Sequence, residues 1–517
     1  MIKCKIINSE PLSAQNGGLT MLYTSTRDKS VKVESAYAIA QGISKDGGLF
    51  VPTEIPQIDK SFIDSLVPLS YIERAKKVLS LYLTDFTAEE IDMCVSGAYA
   101  EGKFSSDKVA PVKKISEGEN ILELWRGPTC AFKDMALQLL PYLLTVSAKK
   151  TVADKTIVIL VATSGDTGKA ALEGFRDVPG TKIMVFYPDD GVSPMQKLQM
   201  TTQAGENVAV SAIKGNFDDA QSGVKKIFTD KEVAKKLEEN GMMFSSANSI
   251  NWGRLVPQIV YYVSAYCDMI ENGEIKNGDE MNVVVPTGNF GNILAAYYAK
   301  KMGVPVGKLI CASNANNVLT DFLKTGVYDR NRKFFTTTSP SMDILISSNL
   351  ERLLFHLADE NDETIAKWMN ELSADGKYEV TADVKEKVIT LFDAGCCDDE
   401  ETKATIGETY KNGYLLDTHT AVAVKVYRDY LKRTGDSTPT VIASTANPYK
   451  FSEAVLKAVC DKNLDGVDEF AQVDLLKEIT GEPCPEQLAT LKGKEPRFTS
   501  CCEKENMIDT VYQMLGI

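Results

Sequence analysis

Short β-branched runs alternating with helical stretches constrain this chain more than any other feature. Thr156–Ala162 (TIVILVA), Lys182–Tyr187 (KIMVFY), Asn207–Ile213 (NVAVSAI), Met281–Val285 (MNVVV), Lys308–Ala312 (KLICA) and Pro439–Ala443 (PTVIA) read as strands. Most are continuously apolar, as strands covered on both faces tend to be, and most precede a helical pattern. The alternation predicts an α/β fold: two open, mainly parallel twisted sheets flanked by helices, with a ligand cleft between them. A length of 517 residues is too great for one core. The expected division is an N-terminal, mostly helical domain over 1–110 and α/β domains over 111–270 and 271–517. The first carries one short extended segment and helical patterns at Ser61–Thr84 and Ala88–Tyr99; the last contains an acidic helical segment at about 350–438.

Charge and composition exclude several classes of function. A formal net charge of −14 argues against a nucleic-acid surface, although local donors can still attract a small anion. No run of about 18 apolar residues predicts a membrane span. Met1–Glu10 alternates apolar and polar residues without a signal-peptide core, so a cytoplasmic protein is expected. Eleven scattered cysteines without a CxxC, and two histidines (His356 and His419), form neither a zinc set nor a disulfide framework. Cys130 has no nearby histidine in sequence to activate it as a nucleophile. No metal is expected.

The run Arg126-Gly127-Pro128-Thr129-Cys130-Ala131-Phe132-Lys133-Asp134 leads from a tight turn into a helix expected over Met135–Leu144. Pro141 inside that helix predicts a kink or an early stop. Lys133 falls at the helix start, where the partial positive charge disfavours an ammonium and favours the neutral amine that attacks an aldehyde. A solvated lysine is the competing reading at such a position.

Three strand-to-loop junctions are candidate anion sites. Thr163-Ser164-Gly165-Asp166-Thr167-Gly168 follows a strand and opens the helix Lys169–Phe175, so its N–H groups and the hydroxyls of Thr163, Ser164 and Thr167 suit a carboxylate or phosphate. A structural turn is the alternative. The string GDTGK is not a nucleotide-binding P-loop, because two residues separate Gly165 from Gly168 and Ala170 stands where a hydroxyl is required. Two loops contain Gly-Asn-Phe. Gly215–Asp219 places two carboxylates in its opening turn and reads as a helix cap. Gly288-Asn289-Phe290-Gly291-Asn292 is uncharged, follows Pro286-Thr287 and opens a helix over Ile293–Lys300, so it is assigned a phosphate. At Val441–Pro448, Thr445 lies at a strand's carboxyl end, facing the crevice or serving the turn.

Taken together, GPTCAFKD, TSGDTG and PTGNFGN resemble the lysine motif, cleft loop and cofactor-phosphate loop of threonine synthases. Tyr23–Arg27, Asp46–Pro52, Asn248–Arg254, Ser339–Asp343 and Ser348–Arg352 also resemble that family, in its order, over residues 23–451. The resemblance implies a fold-type II pyridoxal 5'-phosphate enzyme of the branch with an added N-terminal domain. It would convert O-phospho-L-homoserine and water to L-threonine and phosphate, as a monomer or homodimer. By motif match, Lys133 is the Schiff-base lysine and catalytic base. Gly288, Asn289, Phe290, Gly291 and Asn292 hold the cofactor phosphate, and Thr445 meets the pyridine nitrogen. Thr163, Ser164, Asp166 and Thr167 belong to the substrate loop. Asn248, Ser249, Asn251 and Arg254 are candidates for the departing phosphate, with a forked guanidinium contact from Arg254 and a surface salt bridge as its alternative. Three positions differ from the family pattern: Asn292 for Asp, Asn447 for His, and Thr418 for the Pro before His419.

Overall fold

The structure, a computed structural model, describes residues 20–152, 155–163, 165–190, 192–460 and 462–517. Met1–Glu10 and Ser164 lie outside the described residues.

Two sheets carry the fold, as the apolar runs predict. The five-stranded sheet is parallel throughout, in the order Cys501–Glu503, Val208–Lys214, Thr181–Pro188, Thr156–Ala162, Met242–Ser245. The six-stranded sheet runs Phe392–Cys396, Val306–Ser313, Met281–Pro286, Thr440–Ser444, Glu119–Glu123, Val112–Ser116, and its last pair alone is antiparallel.

Sequence order and sheet membership part company. The hairpin Val112–Glu123 falls in the stretch expected with the 111–270 unit, but Glu119–Glu123 pairs in parallel with Thr440–Ser444. Every residue of Glu119–Glu123 is buried. Its two end carboxylates tolerate this because Arg428 lies 3.4 Å from Glu119 and Arg126 lies 2.5 Å from Glu123. Conversely Cys501–Glu503, at the end of the 271–517 unit, adds an edge to the five-stranded sheet. Phe392–Cys396 is a strand inside the segment expected to be mostly helical.

The N-terminal region also departs from the single extended segment expected there. Tyr23–Ser25 lies between Asp28–Val33 and Phe50–Pro52 in an antiparallel sheet. The helical run at Ser61–Thr84 divides into Lys60–Leu66 and Tyr71–Tyr82, with Pro68 between them and a Ser70–Glu73 capping box starting the second.

The helix Trp252–Glu271 is buried from Trp252 to Met269, the behaviour of a helix enclosed on all sides. It packs against the helix Gly291–Met302, the short helix Asp134–Leu137 and the N-terminal helix Tyr71–Tyr82. A buried pair, Arg74 to Asp268 at 2.6 Å, ties the N-terminal helices to it. Arg74 also donates to Ser264 and to the carbonyls of Leu66 and Val67, so each of its three guanidinium nitrogens is hydrogen-bonded. Among the described residues no helix is long and apolar enough to cross a membrane.

Candidate active site

Lys133 sits where a turn from one end of the larger sheet becomes a helix. Cys130 N–H donates to the Gly127 carbonyl, closing the turn, and Cys130 itself takes a left-handed φ of +60°. Gly127 is required here: a Cβ would meet the Asp134 side chain at 2.5 Å. Asp134 accepts from Thr129 N at 2.8 Å and Thr129 Oγ1 at 2.6 Å, which locks the turn onto the helix. The loop then zips against the end of strand Thr440–Ser444: Phe132 N–H donates to Thr445 O at 2.8 Å, and Asn447 N–H donates to Cys130 O at 3.0 Å. Thr445 is thereby brought beside the lysine. The helix stops after Leu137 and restarts at Leu140–Thr151 with Pro141 in its first turn, the interruption that proline predicts.

The Lys133 side chain is 12% exposed, and three loops meet it. Its Nζ lies 3.4 Å from Ser341 Oγ and 3.8 Å from Asp166 Oδ2. Burial pushes its ammonium below the ordinary lysine range; Asp166 pulls the other way, while Lys450 and Arg254 push it further down. A neutral amine is therefore more accessible here than on a surface lysine. Burial pushes the neighbouring Cys130 thiol up to about 12, which makes it a poor thiolate.

Ser341 links the lysine to the Gly288–Asn292 loop. Its carbonyl would lie 2.8 Å from a Cβ at Gly288, so no side chain fits there without backbone movement. The loop's carbonyls are turned outward: Ser347 Oγ donates to Gly288 O, and Asn349 donates to Asn289 O from both its backbone and its side chain. Phe290 adopts a left-handed φ of +62° and the helix starts at Gly291. Among the described residues, the N–H groups of Gly288 to Ile293 have no hydrogen-bond partner. Asn292 Oδ1 accepts from Tyr261 at 2.8 Å and Tyr262 at 2.5 Å, leaving its buried Nδ2 without a partner. A row of free backbone donors, a helix N-terminus and one orphaned amide form an anion cradle.

The other Gly-Asn-Phe loop is a cap. Asn216 and Asp219 form a capping box that satisfies the N–H groups of both residues and places the Asp219 carboxylate at the helix start.

The expected substrate residues do not all converge. Thr163 Oγ1 accepts from Gly165 N and Gly168 N and donates to Gly165 O, so it shapes the loop and has no spare hydrogen. Asp166 faces Lys133 as a carboxylate rather than a donor, and Thr167 is half-buried in the first turn of the helix Asp166–Phe175. Asn251 is the clearest correction. Its Nδ2 hydrogens go to Ile39 O and Ser246 O and its Oδ1 accepts from Gly253 N, because it caps the helix Trp252–Glu271. Asn248 is exposed, and Ser249 Oγ lies 3.4 Å from Ser348 Oγ. Arg254 is buried, not part of a surface salt bridge; it donates to Ala247 O at 2.9 Å, and among the described residues its Nε has no partner. Burial lowers its guanidinium to about 10, so it stays charged near neutral pH.

Two residues at the site were not among the sequence candidates, although His419 stands in the family pattern. Lys450, in the short turn Pro448–Phe451, reaches Asp166 Oδ1 at 2.6 Å and Thr129 O at 3.0 Å. His419 Nε2 accepts from Ser341 N at 3.1 Å while its Nδ1 faces Asp417 Oδ1 at 3.1 Å, so a neutral, Nδ1-protonated ring fixes the Ser341 turn. Of the departures from the family pattern, Asn447 caps the Pro448–Phe451 turn through Tyr449 N, and Thr418 opens the helix Thr418–Thr434. The N-terminal motifs act at a distance. Arg27 clamps Glu351 at 2.8 and 2.7 Å, and buried Arg352 braces Phe50 O, Ile250 O and Asn349, the residue that holds Asn289.

Family models match the chain along most of its length: "Threonine synthase N terminus" over 22–99, "Pyridoxal-phosphate dependent enzyme" over 121–445 and "Threonine synthase, C-terminal" over 420–511. Threonine synthase of Saccharomyces cerevisiae is 38% identical over 502 residues, covering 92% of this chain and 94% of its own. Threonine synthase-like 1 of Pongo abelii is 44% identical over 439 residues, or 83% of this chain; the match spans 58% of that relative's length. The solved structure of threonine synthase from Brucella melitensis, described as PLP-bound, superposes with a TM-score of 0.85 at 36% identity, covering 96% of this chain and 99% of that one. By sequence along its length and by fold, the chain belongs to the threonine synthase family of pyridoxal-phosphate-dependent, fold-type II enzymes.

Proposed function

We propose that the chain converts O-phospho-L-homoserine and water to L-threonine and phosphate. One observation carries the reading: a largely shielded, weakly basic Lys133 amine and a cradle of backbone donors at Gly288–Ile293 meet across the single residue Ser341. The cradle fits the cofactor's phosphate, since it offers backbone donors from a loop with no charged residue of its own and forbids a side chain at Gly288. Thr445, zipped to the lysine loop, is the hydroxyl assigned to the pyridine nitrogen. Bound there, pyridoxal phosphate supplies an aldehyde for amines and a ring that withdraws electrons from an amino acid's α-carbon.

The protein's own groups do the rest. Lys133 would hold the cofactor's aldehyde, and its amine, when free within the cleft, would be able to take a proton from carbon and return it. Ser341 Oγ gives that amine a hydrogen-bond partner and restricts its swing. Arg254, buried and charged with a free Nε, is the donor assigned to the γ-phosphate, with Ser249 beside it in sequence. Water then adds at the β-carbon, which requires a cleft shielded from bulk solvent.

Incubating the purified protein with O-phospho-L-homoserine and following phosphate and threonine together tests the whole reading. Equal yields are expected. Phosphate released with a 2-oxo acid and ammonia in place of threonine would make it an elimination enzyme on the same scaffold.

Arg254→Ala should lower kcat as well as raise KM, because the leaving phosphate gains charge as its bond breaks. A lost charge-assisted contact is worth roughly 1.5–3 kcal/mol, about one to two powers of ten in kcat/KM. Cofactor absorbance should persist, and Arg254→Lys should rescue in part, restoring charge without the fork. Unchanged kinetics in Arg254→Ala would remove this residue from the phosphate site.

A further inference from the structure

The cleft contains a charge that its proposed substrate should not tolerate. Asp166 lies within the loop 163–168, and a substrate bearing a carboxylate and a phosphate would meet that carboxylate. Yet its Oδ1 is held at 2.6 Å by Lys450, and the two side chains are 6% and 1% exposed. Lys450 comes from the turn after the larger sheet's Thr440–Ser444, whereas Asp166 begins the helix after the smaller sheet's Thr156–Ala162. The pair therefore spans the two sheets at the point where the cleft closes. Lys450 also donates to Thr129 O at 3.0 Å, which fixes its ammonium against the lysine turn.

We propose that Lys450 is a positioning residue that cancels the Asp166 charge, so that the cleft admits an anionic substrate and leaves the Lys133 amine free to shed its proton. The inference rests on the anionic substrate proposed above. The groups facing Lys133 are Asp166 from the loop, Lys450 from the turn, Arg254 from the long buried helix, Asp134 from its own helix and the neutral Ser341 hydroxyl. Those facing Asp166 are Lys450, Lys133, His419 and, at 3.4 Å, Gln196 Nε2. In this set Asp166 and Asp134 favour the Lys133 ammonium, Asp166 the more strongly, and Lys450 is the counter-charge of Asp166 at 2.6 Å. Removing Lys450 leaves a buried carboxylate 3.8 Å from Lys133 with no other lysine in contact. It then repels anions and strengthens the Lys133 proton. Both effects should vanish when Asp166 becomes neutral.

The test is a double-mutant cycle on the holoenzyme, comparing Lys450→Met, Asp166→Asn, the double variant and Lys450→Arg. Two readouts need no turnover: the pH midpoint of the change in cofactor absorbance, and the dissociation constant for inorganic phosphate. Lys450→Met should raise the midpoint by about one unit, equivalent to a tenfold change in proton affinity, and weaken phosphate binding by roughly tenfold through uncancelled charge. The double variant should return both values close to wild type, and Lys450→Arg should stay near wild type. If Lys450→Met does not fold but the double variant does, charge cancellation is again upheld. If the double variant is as impaired as Lys450→Met, or neither folds, Lys450 acts through the Thr129 carbonyl and the proposal falls. A wrong substrate would abolish turnover in every variant while leaving the two readouts to follow the charge pattern, so the two failures are distinguishable.

Discussion

Lys133→Ala is expected to lower kcat/KM for O-phospho-L-homoserine by roughly 10²–10⁴-fold or more, the range for a lost positioned base. The effect should fall on kcat, since Lys133 is assigned to proton transfer rather than to holding the substrate's phosphate. Phosphate release over time measures it. In the wild-type protein, borohydride should fix the cofactor covalently, and peptide mapping should place the adduct on Lys133. Lys169 and Lys450 are the competing buried lysines. Lys169 is engaged by Glu173 at 3.1 Å and by Gln203, and Lys450 by Asp166 and Thr129. Lys133 has a single long contact to Ser341 and a carboxylate 3.8 Å away, so its amine is the one free to react. Recovery of the adduct on Lys169 or Lys450 would overturn the assignment.

The fold was legible in the sequence wherever a strand is covered on both faces. Thr156–Ala162 matches its strand end to end, and the other five apolar runs fall within about two residues of theirs. Two of the strands that escaped notice lack a continuous apolar or β-branched run. Glu119–Glu123 hides its terminal carboxylates behind Arg126 and Arg428, and Phe392–Cys396 has no β-branched residue and lies at a sheet edge. At the site, glycines and backbone turns were readable because their steric demands are local, as at Gly127 and Gly288. Side-chain roles were not. Asn251 has the composition of a phosphate donor, but its Oδ1 caps the helix at Gly253 N and its Nδ2 is held by the Ile39 and Ser246 carbonyls. Lys450 lies far from Asp166 in sequence, and no local pattern marks a pairing made by two sheets closing on each other.

Gly288→Asp and Gly215→Asp, the same change in two loops of the same Gly-Asn-Phe sequence, should have very different outcomes. At Gly288 a Cβ would lie 2.8 Å from the Ser341 carbonyl, and backbone cannot yield as a flexible side chain does. The added carboxylate would also enter the cradle of unpartnered N–H groups assigned to the cofactor phosphate, where it competes as an anion. Displacing Ser341 would in turn disturb the partner of Lys133 Nζ, so cofactor retention and activity should be lost together. At Gly215 the backbone φ of +152° and the Asp219 carboxylate, 2.7 Å from a would-be Cβ, make the substitution costly locally. That cost is on the order of 1 kcal/mol from backbone conformation, with like-charge repulsion added. The loop caps the helix Phe217–Thr229 and has no part in the cradle, so cofactor content should stay at wild-type level. Absorbance after gel filtration measures retention, and chemical denaturation measures stability. Gly288→Ala separates shape from charge: it carries the same steric conflict without the carboxylate and should retain more cofactor than Gly288→Asp. Equal cofactor loss in Gly288→Asp and Gly215→Asp would show that the phosphate does not discriminate between the loops, and the assignment to Gly288–Asn292 would have to be abandoned.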